Sequence, residues 1–219
     1  MNAIPTTAPG LLLVVSGPSG AGKSTVIGQV RRQHPEIAFS VSCTTRAPRP
    51  GEVDGRDYHF LSQAEFQRRI EAGEFLEHAR VHGNGYGTLR HEVESRIRDG
   101  GIVLLDIDVQ GQRLVRQAIL GTPLEAAAVF VFFAPPSFAE LERRLRLRRT
   151  DSETDICRRL DNARAEMEAW REYDFIVVND AVETAAATLA AIVTAARSRT
   201  PLMPTAPFDD ATPSKPHTP

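Results

Sequence analysis

A stretch near the start of the chain has the residue types needed to hold a chain of phosphates. It reads Gly17-Pro18-Ser19-Gly20-Ala21-Gly22-Lys23-Ser24 and follows an apolar run from Leu11 to Val15. The spacing is that of the P-loop, whose glycines let successive N–H groups point into one concavity. A helix-like run that includes Thr25 comes next, and a helix N-terminus favours an anion. Residues 17–25 are therefore predicted to bind a nucleoside triphosphate.

Two side chains of this motif have defined tasks. Lys23 is expected to reach the β- and γ-phosphates, and the Ser24 hydroxyl is expected to ligate Mg²⁺. The alternative is a glycine-rich turn that merely precedes a helix. An apolar run before the motif and a helical run after it favour the P-loop. The motif does not identify the group that receives the phosphate.

Two aspartates end the apolar run at 102–107. Asp106 and Asp108 are two residues apart, so at strand spacing they project to the same side. An acid at the end of a buried strand opposite a P-loop is a common Mg²⁺ partner, so Asp106 is predicted to hold the metal directly or through water. A helix begins just after them, and the residues alone leave Asp108 equally open to a ligand contact and a helix cap.

Arginines cluster in two places. Arg46 and Arg49 flank Pro48 and could converge on one anion, since a guanidinium matches phosphate geometry, or they could be solvated surface residues. In the run 143–149, Arg144 and Arg148 share a helix face. The alternative there is a basic surface or a nucleic-acid patch. The lack of interleaved aromatic residues disfavours only the nucleic-acid patch.

The composition is that of an ordinary soluble protein. Of 219 residues, 42% are hydrophobic and 25% are charged, with a formal net charge of -2. A general nucleic-acid binder would be basic, and no apolar run reaches the roughly 18 residues of a membrane span. We therefore expect neither nucleic acid nor a membrane as a partner. Cys43 and Cys157 fit no metal spacing, which predicts reduced thiols in the cytoplasm.

Buried strands alternate with helices along most of the chain. Strands are predicted at 11–16, 37–42, 102–107, 127–133 and 175–178. Helices are predicted at 23–33, 89–99, 109–120, 138–149, 154–171 and 181–197. The alternation predicts an α/β fold with a doubly wound parallel sheet of about five strands. A ligand should bind at the carboxyl ends of the strands, where the P-loop, both aspartates and Asn179 fall.

Residues 44–90 interrupt this alternation. Short strands are predicted at 57–61 and 75–81, a helix at 62–72, and a glycine-rich turn at 82–87. We therefore expect a P-loop core of residues 11–43 and 91–199 with an inserted lobe of mixed strands at 44–90. Residues 1–10 are expected to form a flexible tail. Residues 200–219, which contain six prolines, are expected to be disordered.

Five segments resemble the guanylate kinase family in their order and spacing. They are the P-loop stretch, Ser42 to Arg49, Gly51 to Tyr58, Gly83 to Thr88, and Leu105 to Gly111. The similarity extends from about Leu11 to Arg197. It implies transfer of the γ-phosphoryl group of ATP to GMP or dGMP, giving ADP and GDP or dGDP, in purine nucleotide metabolism. It also implies Mg²⁺ as the cofactor and a helical lid at about 137–160.

The resemblance further implies roles for individual side chains. The GMP phosphate would be held by Arg46, Arg49, Tyr58 and Tyr86. The guanine side would be contacted by Ser42, Glu77, Thr88 and Asp108. The transferring phosphoryl group would meet Lys23 and the lid arginines Arg144, Arg148 and Arg159. Asn179 would contact the adenine side of ATP or, equally, cap a helix. Arg149 stands where the family often has a glycine, which leaves open which lid arginine reaches the phosphate.

Guanine chemistry fits this assignment. Guanine offers N1–H and N2–H₂ as adjacent donors, and one carboxylate such as Glu77 can accept both. Adenine has a lone pair at N1 and no amino group at C2, so the carboxylate would be left unpaired.

Three alternative functions are compatible with parts of this pattern. A related kinase could act on a ribose phosphate, which the complete guanine-side set disfavours. A non-catalytic interaction module could dispense with the P-loop and the lid arginines, and this chain has both. A regulatory GTPase would need Asn-Lys-x-Asp after a strand, and the chain has Asn179-Asp180 with no lysine between them.

Overall fold

A parallel sheet forms the centre of the protein. The structure is a computed structural model that describes residues 10–81, 83–147 and 153–199. Its order is β2-β7-β1-β8-β9, and every neighbouring pair is parallel. The strands are β1 (Leu11–Ser16), β2 (Ile37–Phe39), β7 (Ile102–Asp106), β8 (Ala128–Ala134) and β9 (Phe175–Val178). The predicted sheet of about five parallel strands is confirmed.

Helices cover both faces of this sheet. They are α1 (Lys23–Gln33), α3 (Arg90–Arg98), α4 (Val109–Ile119), α5 (Pro123–Ala127) and α8 (Val182–Arg197). The fully buried strand β1 divides its side chains between the faces, because successive residues of a strand point to opposite sides. Leu13 packs in the cluster that includes α1 and α8, and Leu12 packs in the cluster that includes α3 and α4. The P-loop between β1 and α1 is therefore anchored on both sides.

A second, mixed sheet lies within the 44–90 excursion and the residue before it. Its order is β4-β3-β6-β5, with β3 parallel to β4 and antiparallel to β6. Its elements are β3 (Cys43–Thr44), β4 (His59–Phe60), α2 (Gln63–Glu71), β5 (Phe75–Val81) and β6 (Asn84–Leu89). A register shift between Phe75 and Glu77 places Glu77 opposite Thr88.

The prediction of a glycine-rich turn at 82–87 is wrong for most of that segment. Gly83, with φ of 82°, belongs to the turn, and β6 begins at Asn84. A Cβ on Gly85 would lie 2.7 Å from the Phe66 ring, and one on Gly87 would lie 2.8 Å from the Phe75 ring. The two glycines therefore make room for aromatic rings on one face of a strand. Because glycine is also common in turns, the sequence alone does not indicate this role.

Two helices follow β8, α6 (Phe138–Leu147) and α7 (Glu153–Glu168), with a 3₁₀ helix at Ala169–Glu172. Leu141 and Leu145 of α6 pack against Ile156 and Leu160 of α7. Arg148, Arg149 and both predicted tails, apart from Gly10, lie outside the described residues. No helix within residues 10–81, 83–147 and 153–199 is long and apolar enough to cross a membrane.

Candidate active site

The P-loop adopts a path that two of its glycines make possible. Gly17 has φ of 143°, and a Cβ there would lie 2.1 Å from the carbonyl oxygen of Phe133 in β8. Gly22 has φ of 84° and is the N-cap of α1, so it brings no side chain to the first turn of the helix. That turn also contains no acidic residue. The N–H groups at the start of α1 are thus left for an anion.

Asn179 forms a hydrogen bond with the backbone of the P-loop. Its side-chain amide donates to the carbonyl oxygen of Ala21 at 2.7 Å, and its backbone N–H donates to Ala134. The residue is only 3% exposed, and its Oδ1 atom is buried without a hydrogen-bond partner. The prediction of an adenine-side contact gains no support from this position. The helix-cap alternative is wrong, because Ala181 is the N-cap of α8.

The P-loop opens into a cavity of about 340 Å³. Its lining includes Gly17 to Gly20, Gly22, Lys23, Ser24, Asp106, Ile107, Asp108 and Glu166. The Lys23 ammonium donates to the carbonyl oxygen of Gly17 and, at 3.4 Å, to that of Pro18. Seven of the residues predicted to hold a triphosphate therefore surround one space, which Asp106 and Asp108 also line, whereas Ala21, Thr25 and Asn179 do not line it.

The donor set in this cavity fits Mg²⁺. Ser24 and Asp106 both line the cavity. Burial raises the pKa of Asp106, while the Lys23 charge opposes the rise. Mg²⁺ takes oxygen ligands and usually keeps several waters, so one hydroxyl and one carboxylate can suffice beside substrate phosphates. The described residues contain no cluster of three or more metal-ligating side chains.

A second cavity, of about 300 Å³, adjoins the first. Its lining includes Ser42, Tyr58, Glu77, Tyr86, Gly87, Asp106, Ile107 and Asp108. Asp106, Ile107 and Asp108 line both cavities, so the end of β7 forms the wall between them. Six of the residues predicted to bind GMP or Mg²⁺ are thereby brought together around this second space.

Glu77 is the buried acid of the second cavity. It is 8% exposed, and the Thr88 hydroxyl donates to its Oε1 atom at 2.7 Å. Burial raises the pKa of Glu77 to about 7, the Thr88 hydrogen bond opposes the rise, and the Asp108 charge adds to it. Thr88 is fully buried, so in this structure it orients the carboxylate. A direct contact between Thr88 and guanine stays a prediction.

Asp108 performs one of its two predicted roles here and is placed for the other. Its Oδ1 atom accepts from the backbone N–H of Gly111 at 2.7 Å, which caps α4. A carboxylate has a second oxygen, and Asp108 lines both cavities. The cap fixes the direction of the side chain, and the ligand contact stays a prediction.

Arg46 is held beside the second cavity by an acid that carried no role in the sequence prediction. The Arg46 guanidinium donates to Glu52 at 2.9 Å and lies 5.4 Å from the centre of the Tyr58 ring. The hydrogen bond that Arg46 donates to Glu52 raises the pKa of Arg46, and the Tyr86 side chain adds to the rise. Glu52 also accepts from the backbone N–H of Arg49 at 2.7 Å. The Arg49 side chain is exposed and does not line the cavity.

Replacing Glu52 with alanine should weaken GMP binding. The change removes one hydrogen bond to the Arg46 guanidinium and one to the Arg49 backbone, each of which contributes about 1 kcal/mol. We expect KM for GMP to rise about tenfold in steady-state assays, while KM for ATP stays unchanged as the internal control. Tighter GMP binding would contradict this expectation, since it would mean that Glu52 competes with the GMP phosphate.

Two predicted lid arginines reach the P-loop region. Arg144 donates to Glu140 at 2.7 Å and to the Asn179 carbonyl oxygen at 2.9 Å. Arg159 lies 3.4 Å from the Ser19 hydroxyl. Both are thus at the triphosphate side of the site. Their contact with a transferring phosphoryl group stays a prediction, and Arg148 lies outside the described residues.

Sequence reasoning missed Glu52 and Glu166. Glu52 lies in the family-like segment from Gly51 to Tyr58, and its spacing of three from Arg49 could have indicated a local hydrogen bond. Glu166 lies on a helix far along the chain, with no motif around it, so only the fold brings it to the P-loop cavity.

Comparison with known proteins identifies the relatives of this chain. A family model described as guanylate kinase matches residues 10–196. A guanylate kinase of Thermotoga maritima is 48% identical over 190 residues, which cover 87% of this chain and 89% of that protein. A guanylate kinase of Frankia casuarinae is 51% identical over 182 residues, which cover 83% and 96%.

A solved structure gives the same relationship. The crystal structure of guanylate kinase from Anaplasma phagocytophilum is 34% identical in sequence, with a TM-score of 0.72, and the match covers 89% of this chain and 90% of that one. The P-loop, the mixed sheet and the two adjoining cavities are consistent with these matches. The chain belongs to the guanylate kinase family.

Proposed function

We propose that the protein transfers the γ-phosphoryl group of ATP to GMP or dGMP, giving ADP and GDP or dGDP. Members of the guanylate kinase family are ATP-dependent nucleoside monophosphate kinases. The observation that carries the proposal is the pair of adjoining cavities. One is a phosphate cradle at a helix N-terminus, and the other contains the buried carboxylate of Glu77. They share a wall, so two bound nucleotides would face each other.

The acceptor in this reaction needs no general base. The second pKa of a phosphate monoester is about 6, so at neutral pH GMP is already a nucleophilic anion. The difficulty is to bring two polyanions together and to stabilise the charge that moves between them. Positioning and electrostatics therefore account for most of the catalysis.

The positive charges of the chain approach from several sides. Lys23 lies in the P-loop, Arg46 beside the second cavity, and Arg144 and Arg159 next to the loop. We assign Mg²⁺ to Ser24 and Asp106, where it would neutralise phosphate charge when bound. Residues 44–90 and about 137–160 are proposed to close over the substrates as lobe and lid, which would exclude water that could hydrolyse ATP.

Two features favour this proposal over a ribose-phosphate kinase or a non-catalytic module. The Thr88 hydrogen bond directs the Glu77 carboxylate, an acceptor that suits the two adjacent donors of guanine. The P-loop retains its lysine and the glycine path that exposes its N–H groups. We further propose a cytoplasmic location, which suits a protein whose two cysteines are both free thiols.

A substrate panel tests the proposal most directly. ADP release would be measured with ATP and Mg²⁺ in the presence of GMP, dGMP, AMP, UMP or a ribose phosphate. We expect rapid turnover with GMP, turnover with dGMP, and little with AMP or UMP. Preference for a ribose phosphate would contradict the proposal, as would an absence of turnover with every acceptor.

The pKa of Glu77 predicts how GMP binding depends on pH. With a pKa of about 7 in the ligand-free protein, Glu77 is mostly protonated below pH 7 and must lose its proton to accept both guanine donors. The KM for GMP should therefore fall as pH rises from 6 to 8, by up to about tenfold per unit below pH 7. The GMP phosphate also loses a proton over this range, so the pH dependence of KM that remains in Glu77→Gln is the contribution of the phosphate. Equal slopes in the two proteins would contradict the prediction.

A further inference from the structure

One acid beside the P-loop belongs to α7 and not to the segment that contains Asp106 and Asp108. Glu166, near the end of α7, lines the triphosphate cavity together with Ser19, Lys23 and Ser24. Burial raises the pKa of Glu166, the Lys23 charge opposes the rise, and the Asp108 charge adds to it. The carboxylate thus lies in the cavity beside the P-loop.

The helix that carries Glu166 contacts the loop at a second point. Arg159 precedes Glu166 by seven residues, about two turns, so both side chains lie on the same face of α7. Arg159 reaches the Ser19 hydroxyl at 3.4 Å, while Glu166 lines the cavity together with Ser19. One face of α7 therefore presents a cation and an anion to the part of the P-loop around Ser19.

The cavity is acidic before any metal enters it. Three carboxylates line it, from Asp106, Asp108 and Glu166, against the single ammonium of Lys23 among its lining residues. Each of these carboxylates would repel a polyphosphate that arrives without a metal. Asp106 ends β7 and Asp108 caps α4, and both have a place in the proposed metal and GMP sites, whereas Glu166 has no role in the chemistry described above.

We propose that Glu166 competes with nucleotide phosphates for the P-loop and disfavours polyphosphates that arrive without Mg²⁺. This inference rests on the proposed function, in which the cavity binds ATP. Glu166 thus favours nucleotide that carries Mg²⁺, because the charge of the metal compensates the carboxylate.

Calorimetric titration with ADP tests this role without turnover. The wild-type protein, Glu166→Gln and Glu168→Gln would each be titrated with ADP in EDTA and with ADP plus excess Mg²⁺. Glu168 is the matched control, since it is exposed on the same helix and does not line the cavity. In EDTA we expect Glu166→Gln to bind ADP about tenfold more tightly than the wild type, since one repulsive charge is gone.

With Mg²⁺ the gain should shrink to about threefold or less, because the metal compensates the carboxylate. Glu168→Gln should match the wild type in both buffers. Unchanged or weaker binding of ADP by Glu166→Gln in EDTA would overturn the inference. So would a tenfold loss confined to the Mg²⁺ titration, which would indicate that Glu166 holds the metal.

Two further comparisons keep the test decisive. If thermal denaturation shows that Glu166→Gln does not fold, Glu166→Asp replaces it. Aspartate is shorter by one methylene, so its charge lies farther from the loop, and ADP binding in EDTA should tighten by less than in Glu166→Gln. Failure of the proposed function would appear separately, as a lack of GDP formation by the wild type. The ADP titration needs no acceptor and would still report on Glu166.

Discussion

Replacing Glu77 with glutamine should reduce the preference for GMP over AMP at least about a hundredfold, measured as the ratio of kcat/KM values. The carboxylate can accept from N1–H and N2–H₂ of guanine together, whereas an amide offers one acceptor and one donor. A buried donor that faces another donor costs about 1–3 kcal/mol, and the lost charge adds to this. The Thr88 hydrogen bond, at 2.7 Å, can persist to the amide oxygen and keep the side chain in place.

Stability should change in the opposite direction in the same variant. Burial raises the pKa of Glu77 to about 7 from an ordinary value of 4.5, so the wild type loses stability as pH rises through this range. Glutamine carries no such penalty. At pH 8 the variant should be more stable by up to about 3 kcal/mol, and the difference should vanish below pH 4.5. A variant with lower stability and an unchanged nucleotide preference would contradict both expectations.

A control for these effects lies on the neighbouring helix. Glu71 is an exposed acid at the end of α2 that does not line either cavity. Glu71→Gln removes the same charge from the same sheet-and-helix unit. It should leave both the nucleotide preference and the pH dependence of stability unchanged.

Replacing Lys23 with methionine should lower kcat about 10³-fold, with a smaller effect on KM for GMP. The ammonium lies in the P-loop cavity on carbonyl oxygens of the loop, within reach of phosphates held at the start of α1. Removing one preorganised charge from a phosphoryl-transfer site costs about 10²–10³ in rate. Methionine keeps much of the length of the side chain and removes only its charge. Single-turnover measurements at saturating nucleotide would report the chemical step.

The comparison for this variant is Arg32→Met, at the far end of the same helix. Arg32 lies in the last turn of α1, where it is exposed. Its replacement also removes one positive charge from α1, but at the end remote from the cavity. A similar loss of kcat in both variants would mean that Lys23 acts through the net charge or stability of the helix, and not at the phosphates.

The sequence predicted those parts of the site that depend on local patterns. The P-loop could be predicted because its glycines, lysine and serine lie within eight residues, between a buried strand and a helix. Asp106 could be placed because it ends a strand that is buried on both faces, and such ends meet at one edge of a parallel sheet. The guanine-side and phosphate-side residues were available only through the family resemblance, because nothing in their spacing alone fixes what they bind.

Parts that depend on tertiary contacts were beyond the sequence. Gly85 and Gly87 have the composition of a turn, and the reason that they form a strand is the pair of rings that would clash with a Cβ. Asn179 looked like a ligand or a helix cap, and its partner is a carbonyl oxygen in the P-loop. In each case the deciding neighbour is distant in sequence, so no local pattern could reveal it.

The bond between Asn179 and the P-loop also affects when a growing chain can bind nucleotide. The ribosome makes Ala21 158 residues before Asn179, and β9 can join the sheet only by pairing with β8. Until then the Ala21 carbonyl oxygen lacks its amide donor, and Arg144 lacks the acceptor to which it bonds. A ribosome-bound chain that ends before Phe175 should therefore fail to retain a fluorescent ATP analogue that the full chain retains. Nucleotide binding would thus mark the completion of synthesis, and incomplete chains would not sequester ATP.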